Sequence, residues 1–186
     1  MHVDNLVQTI AIYALPVLFA ITLHEAAHGF VARHFGDMTA YAQGRVSLNP
    51  LRHIDLMGTI VVPVLILVSS LAMGTSGLLF GWAKPVPVNF SALRRPKQNM
   101  LWVAAAGPLS NLAMALGWAG LLKLSTVLPQ GGYAQAMQLM GIAGIQINVI
   151  LMLLNLLPIL PLDGGRIVAS LLPSRMAWQY SRLEPW

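Results

Sequence analysis

The sequence contains no cysteine, and only 9% of its 186 residues are charged. The absence of cysteine excludes disulfide bonds, thiolate catalysis and cysteine-ligated metal sites. Soluble domains carry about 25% charged residues, and disordered chains combine high charge with low hydrophobicity, so the scarcity of charge excludes both classes. Because hydrophobic residues make up 56% of the chain and the mean hydropathy is +0.68, the composition predicts a membrane protein.

Acidic residues are especially few: the chain has six, against 11 basic residues. Glu25 and Asp163 adjoin strongly apolar segments, where a carboxylate is costly and usually functional. The basic residues lie mostly in short connections between apolar stretches. Basic residues in such connections set the orientation of membrane helices and contact anionic lipids. We therefore attribute the net charge of +5 to a location in the lipid bilayer and expect no nucleic-acid partner.

Long runs without charged side chains predict the membrane-spanning helices. Each run is long enough to cross roughly 30 Å of hydrocarbon at about 1.5 Å per residue. We expect an all-α polytopic membrane protein with about four to five transmembrane helices. Four of these helices are predicted at about 6–35, 56–74, 99–123 and 135–157.

Two connections between the predicted helices have a distinct character. Residues 41–50 alternate polar and apolar side chains, which predicts a short strand or a hairpin, although Gly44 would equally suit a simple turn. Residues 81–90 contain Pro85 and Pro87, which exclude a helix and predict an extended segment.

The strongest chemical signal is the sequence His24-Glu25-Ala-Ala-His28 inside the first apolar helix. Residues four apart share a helical face, so His24 and His28 can bind one Zn²⁺ while Glu25 acts as a general base. Three ionisable groups next to a long uncharged stretch are costly unless they are paired or bound to a metal. A structural role as helix-end polar residues is therefore the less favoured interpretation.

A catalytic zinc site needs a third protein ligand, and Asp163 is the best candidate. It ends another apolar run, and Pro158 and Pro161 interrupt the helix before it, which would place the carboxylate on irregular backbone. The alternative is that Asp163 caps a short helix beginning at Gly164. His34 and His53 are weaker ligand candidates, because both lie in connections near arginines and are expected at the membrane interface.

An ordered set of motifs resembles the site-2 protease family of intramembrane zinc metalloproteases, peptidase family M50. The resemblance covers most of the chain. The motifs are His24-Glu25-x-x-His28, residues 44–50, His53-Ile54-Asp55, residues 81–89, Ala106-Gly107-Pro108-x-x-Asn111, and Asn155-x-x-Pro158 through Asp163-Gly164-Gly165. One departure is Leu160, which stands where the family usually has a second proline; Pro161 follows immediately.

The resemblance implies a short bacterial form without a PDZ or CBS domain, in the cell (inner) membrane with several passes. It implies a single protease domain over residues 1–186, and since relatives commonly continue into another apolar helix, we expect that this helix is lacking here. It also implies one Zn²⁺ per chain and cleavage of peptide bonds within or near transmembrane segments of membrane-protein substrates.

The family mechanism assigns roles by residue. His24, His28 and Asp163 would hold the metal, and Glu25 would take a proton from water and return it to the leaving amine. Asn111 and Asn155 could donate hydrogen bonds to the substrate, or could bond neighbouring helices instead. The resemblance also implies a small membrane-associated β-hairpin at residues 42–49. Further substrate contacts are expected there at Gly44 and Val46, where a strand could pair with an unwound substrate.

Two rival functions remain open. The first is a non-proteolytic zinc-binding membrane scaffold or a metal transporter, although a transporter should carry more polar residues along several helices. The second is a membrane-anchored metallopeptidase that acts on soluble substrates, which requires His24 to lie well outside the hydrocarbon. The sequence identifies neither the substrate nor the oligomeric state.

Overall fold

A computed structural model of the chain describes residues 3–72, 83–129 and 131–184. Within these ranges the regular structure is helical. The helices are α1 (Val3–His34), α2 (Thr39–Ala42), α3 (Val62–Ala72), α4 (Pro96–Ser125), α5 (Gly132–Asn155), α6 (Asp163–Leu171) and α7 (Ser174–Ser181). One π-helical segment, Leu56–Val61, precedes α3, and short 3-10 turns occur at Pro50–Arg52 and Phe90–Ala92.

The described helices include three that are long and apolar enough to cross a membrane: Ile10–His34 within α1, and the whole of α4 and α5. They display large apolar side chains outward, such as Phe19 at 46% and Leu116 at 68% exposure. Three of the four to five expected spans are thus found within the described ranges, and the remaining spans stay a prediction. The predicted helix at 56–74 is a π-helical segment followed by the 11 residues of α3, and its last two residues lie outside those ranges.

The β-hairpin predicted over residues 41–50 is wrong. The segment begins in α2 and closes a turn in which Gly44 N–H donates to Tyr41 O and Arg45 N–H to Ala40 O. Gly44 adopts a positive φ of 64°, and the described parts of the chain contain no strand. The alternating polarity has another cause than strand pairing. The apolar Val46 packs on α1, whereas the neighbouring Arg45 donates a hydrogen bond to the backbone carbonyl of Lys84.

Residues 83–89, which we call the proline segment, contain neither helix nor strand, and the exclusion of a helix agrees with the prediction from Pro85 and Pro87; an extended backbone stays a prediction, and Gly81 and Trp82 lie outside the described residues. Arg45 Nη2 donates to Lys84 O at 2.7 Å, and Asn89 N–H donates to a carboxylate oxygen of Asp37 at 2.7 Å. These bonds fix the segment against the end of α1.

Helix α4 is central, since it packs against α1, α5 and α6. At its N-terminal half, Val103 joins Ala32 of α1 and Leu93 in a buried apolar cluster. Phe90 and Val88 pack against the same cluster. The proline segment is therefore attached to the core of the helical assembly as well as to α1.

The chain after α5 is arranged to present Asp163. Residues 156–162 are irregular, as the prolines predicted, and α6 then begins at Asp163. A Cβ atom built on Gly164 would lie 2.3 Å from Leu156 O, so only glycine allows α6 to begin this close to the preceding loop. From the C-terminal side, Tyr180 Oη donates to Pro158 O at 2.7 Å.

Candidate metal centre

Three predicted ligand side chains converge, although Asp163 is remote in sequence from the two histidines. His24 Nε2 lies 3.1 Å from His28 Nε2. His24 Nε2 is 3.3 Å from Asp163 Oδ2, and His28 Nε2 is 3.4 Å from Asp163 Oδ1. The histidines are 8% and 9% exposed, so the group is almost closed to the outside. Among the described residues it is the only such group of potential metal ligands.

These separations fit a tetrahedral metal ion. Donors about 2.0–2.1 Å from a tetrahedral centre lie about 3.3 Å apart, close to the three observed distances. Asp163 Oδ2 is buried and has no hydrogen-bond partner, which is costly unless a cation compensates it. Two imidazoles and one carboxylate are also the donor set of many catalytic zinc sites. The residues therefore fit Zn²⁺, and a fourth position would remain for water.

The remaining ring nitrogen of each histidine is hydrogen-bonded. His28 Nδ1 donates to Val103 O of α4 at 2.7 Å. His24 Nδ1 lies 2.5 Å from Asn111 Oδ1, also on α4. With the proton on Nδ1, the lone pair of Nε2 is free to bind a metal. Contacts of α4 with the two Nδ1 atoms thus orient both imidazole rings so that their Nε2 atoms face Asp163.

Gly107 makes this close approach of α4 to the histidines possible. A Cβ atom added at Gly107 would lie 2.4 Å from His28 Nε2 and 2.5 Å from His24 Cε1. No L side chain fits at such distances, so α4 needs glycine here. The contact places the α4 backbone next to the Nε2 atoms of both histidines.

Glu25 is held by the proline segment. Its Oε2 accepts a hydrogen bond from Val86 N–H at 2.6 Å. The side chains of Val46 and Val86 lie over Gly29 on the same part of α1, and Val86 is buried. Because a carboxylate has two oxygens, the bond to Oε2 fixes the direction of the side chain and leaves Oε1 to accept a proton.

Asp163 is the first residue of α6, whereas the prolines suggested irregular backbone at this position. The N-cap is Leu162, and no side chain caps the helix, so the interpretation of Asp163 as an N-cap is wrong. Burial would raise the pKa of the Asp163 carboxyl, but its contacts with His24 and His28 outweigh burial and lower the pKa. Asp163 is therefore a carboxylate at neutral pH, the form that binds metals.

The predicted substrate-binding residues are not gathered in one place. Asn111 is fully buried behind His24, and Asn155 Nδ2 donates to Leu151 O of its own helix at 3.0 Å. Gly44 lies in the turn after α2, whereas Val46 packs near the metal-binding helix. Contact of these four residues with a substrate stays a prediction.

His34 and His53 take no part in the cluster. His53 is 2% exposed and its Nε2 donates to Ser47 O at 2.8 Å, so it is buried within the protein, and its expected position at the membrane interface stays a prediction. His34 stacks edge-on against Phe35 with ring centroids 5.1 Å apart. Both have local structural contacts.

Several contributors to the site do not follow from the ligand motif. The Val103 carbonyl and the Val86 amide act through backbone atoms, which residue type does not reveal. Asn148 of α5 bonds Asn111, and an asparagine inside an apolar helix is the signal that could have identified it. A glycine in the middle of a long helix is the corresponding signal for Gly107.

No protein-family model and no solved structure matches the chain. Curated relatives do match. The chain is 37% identical over 175 residues to "Putative zinc metalloprotease YwhC" of Bacillus subtilis, which covers 92% of this chain and 74% of the relative. It is also 31% identical over 147 residues to "Putative zinc metalloprotease Rip2" of Mycolicibacterium smegmatis.

The match to Rip2 covers 79% of this chain and 52% of the relative, so the chain spans about half the length of that protein. A Rip2 protein of Mycobacterium tuberculosis gives the same coverage at 32% identity. The match to YwhC extends over nearly the whole chain and includes the residues that converge at the metal centre. The chain therefore belongs to the family of zinc metalloproteases that includes YwhC.

Proposed function

We propose that this protein is a zinc-dependent intramembrane endopeptidase of the site-2 protease type. It hydrolyses peptide bonds within or near transmembrane segments of membrane-protein substrates. One observation carries the proposal: His24, His28 and Asp163 form a zinc-like donor set, and two of the three lie on a helix apolar enough to cross a membrane. The family relationship supports the same chemistry.

Zn²⁺ held by His24, His28 and Asp163 would polarise the scissile carbonyl and lower the pKa of a water molecule toward about 7. Glu25 takes the proton from that water through Oε1 and later delivers it to the leaving amine. The bond from Val86 N–H to Oε2 keeps the carboxylate in one orientation while this transfer occurs. The role of general base requires such positioning.

Burial of the ligands supports the rest of the mechanism. The low exposure of His24 and His28 limits water around the metal and strengthens electrostatic interactions there. A helical substrate hides its amides in internal hydrogen bonds, so it must unwind locally before it reaches the site. Substrate contacts at Asn111, Asn155, Gly44 and Val46 belong to this proposal.

The experiment uses the purified full chain in liposomes with a set of fluorescent single-span transmembrane peptides. We expect cleavage, and mass spectrometry should place the cut within or beside the apolar segment. Glu25→Gln should retain zinc and reduce cleavage by about 10²–10⁴-fold, the usual contribution of general base catalysis. Asp55→Asn is the matched control, because that carboxylate caps the π-helical segment instead.

Metal analysis separates the ligands from the base. His24→Ala and Asp163→Ala should both lose zinc, and loss in the histidine variant alone would remove Asp163 from the ligand set. Persistent cleavage by Glu25→Gln would contradict the mechanism. Zinc binding without any cleavage would favour a scaffold or transporter, and cuts confined to soluble peptides would favour an anchored metallopeptidase.

A further inference from the structure

Two buried asparagines connect the ligand His24 to helix α5. Asn111 of α4 and Asn148 of α5 are both 0% exposed. Asn111 Nδ2 donates to Asn148 Oδ1 at 3.0 Å, and Asn148 Nδ2 donates to Gly144 O at 2.8 Å. With the contact between Asn111 and His24, the bonds form a continuous chain across three helices.

The direction of each bond follows from the last member of this chain, and a longer contact of Asn111 Nδ2 with Ala20 O at 3.5 Å favours the same direction. A backbone carbonyl only accepts hydrogen bonds, so Asn148 must present its NH₂ group to Gly144 and its oxygen to Asn111. Asn111 must then present its NH₂ group to Asn148 and its oxygen to His24. The imidazole of His24 must therefore carry its proton on Nδ1.

This proton position matters because a neutral imidazole has one protonated nitrogen and one free lone pair. With the proton on Nδ1, Nε2 is free where it faces His28 and Asp163. A reversed Asn111 would place its oxygen against Asn148 Oδ1 and its NH₂ group against His24 Nδ1. The proton would then move to Nε2 and block the metal position.

Water cannot readily correct a reversed orientation here, because both asparagines are fully buried. Two facing oxygens without a proton between them are strongly unfavourable in a buried site. Asn148 also lies on a part of α5 that packs tightly on α4, since a Cβ atom at Gly144 would lie 2.3 Å from Trp118 Cγ. The position of Asn148 relative to Asn111 is thus fixed by helix packing.

We propose that Asn148 is a positioning residue that selects, through Asn111, the Nδ1-protonated tautomer of His24 and thereby prepares Nε2 to bind the metal. The proposal rests on the proposed function only in treating His24 as a metal ligand. His28 needs no such intermediary, because it donates directly to the Val103 carbonyl. The two ligands are thus oriented by different means.

The first test reads the tautomer in metal-free protein, with ¹⁵N-labelled histidine and NMR at a pH well above the ordinary imidazole pKa of about 6.5. In the wild type, His24 should show a protonated Nδ1 and an unprotonated Nε2. His24→Ala assigns the signals, and His28 is the internal reference. A wild-type His24 protonated at Nε2 would overturn the proposal without any variant of Asn148.

The second test uses Asn148→Leu, with Ser125→Ala as the matched control. Ser125 is also buried and bonds a carbonyl of its own helix, at Leu122, toward the far end of α4. Asn148→Leu should mix the two tautomers of His24 and leave those of His28 unchanged. Co²⁺ titration should show about 10- to 100-fold weaker binding, the usual effect of removing such a supporting contact, with an altered visible spectrum.

Ser125→Ala should change neither the tautomer nor Co²⁺ binding. If Asn148→Leu behaves like Ser125→Ala in both measurements, the positioning role is wrong. The tautomer is measured without metal or substrate, so the result is valid even if the protein cleaves no substrate. Failure of the proposed protease function can thus be distinguished from failure of this inference.

Discussion

The carboxylate of Glu25 and the backbone amide of Val86 are joined by a hydrogen bond of 2.6 Å across 61 residues of sequence. Residues on either side of Val86 are prolines, which have no N–H to donate. Val86 therefore supplies the donor at this point of the proline segment. A backbone atom thus orients the proposed general base.

Val86→Pro tests this contact, because it removes the N–H from a non-helical segment that already contains two prolines. Loss of a hydrogen bond to a charged group costs about 1.5–3 kcal/mol. If that cost falls on the transition state, kcat should decrease about 10- to 100-fold while zinc content is retained. Val86→Ala keeps the N–H and should preserve most of kcat; an equal loss in both variants would assign the effect to the side chain.

Gly107→Ala should disturb the metal centre itself, since the added methyl group would overlap both imidazoles. Overpacking a close-packed site usually costs about 1–3 kcal/mol, so zinc affinity should fall about 5- to 150-fold. Isothermal titration of the metal-free protein measures this. Gly117→Ala on the same helix has open space around its Cβ, and it should leave zinc affinity unchanged.

Asp37→Asn should loosen the proline segment without removing a metal ligand. The buried Asp37 carboxylate accepts from Thr39 N–H at 2.9 Å and from Asn89 N–H at 2.7 Å. An amide has one oxygen, so one buried donor loses its partner at a cost of about 1–3 kcal/mol. The melting temperature should fall and zinc content should persist.

Asp55→Asn is the comparison for that experiment. Asp55 accepts from Gly58 N–H through one oxygen at 2.7 Å, and asparagine serves about as well as aspartate at such a helix start. Its melting temperature should stay close to that of the wild type. Equal destabilisation of both variants would show that the second acceptor of Asp37 contributes little.

Removal of the metal should lower thermal stability, because a ligand that binds only the folded protein stabilises it by mass action. At a free zinc concentration about 100 times the dissociation constant, the stabilisation is about 2.7 kcal/mol. A chelator should therefore reduce the melting temperature of the wild type. Asp163→Asn should abolish most of this response; a full response in that variant would exclude Asp163 as a ligand.

The sequence predicted the metal centre better than its surroundings. His24 and His28 share a face because they are four residues apart on one helix, and this geometry is local. The choice of Asp163 as the third ligand rested on the cost of an isolated carboxylate beside an apolar run and on the family resemblance. The roles of Gly107 and Val86 depend on how α4 and the proline segment pack against α1, which local pattern does not encode.

The β-hairpin prediction failed for a related reason, whereas the all-α prediction agrees with the helices of the described residues. Alternating polarity at residues 41–50 was interpreted as a hairpin, but a strand needs a partner, and the segment closes a helical turn instead. The long uncharged run after Asp55 gave no indication that its helix would begin with a π-helical segment. Hydrophobic runs locate helices well. They specify neither which segments pack or pair with one another nor whether the backbone hydrogen bonds of a helix follow the α or the π pattern.

The position of Asp163 at the start of α6 also has a consequence during synthesis. The first helix, with His24, Glu25 and His28, leaves the ribosome long before Asp163 has been translated. The loop that carries Asp163 is held in turn by a hydrogen bond from Tyr180, which is made later still. A nascent chain therefore lacks the complete metal centre until nearly all of the described protein has emerged, so the proposed protease cannot act on its membrane surroundings while it is being inserted.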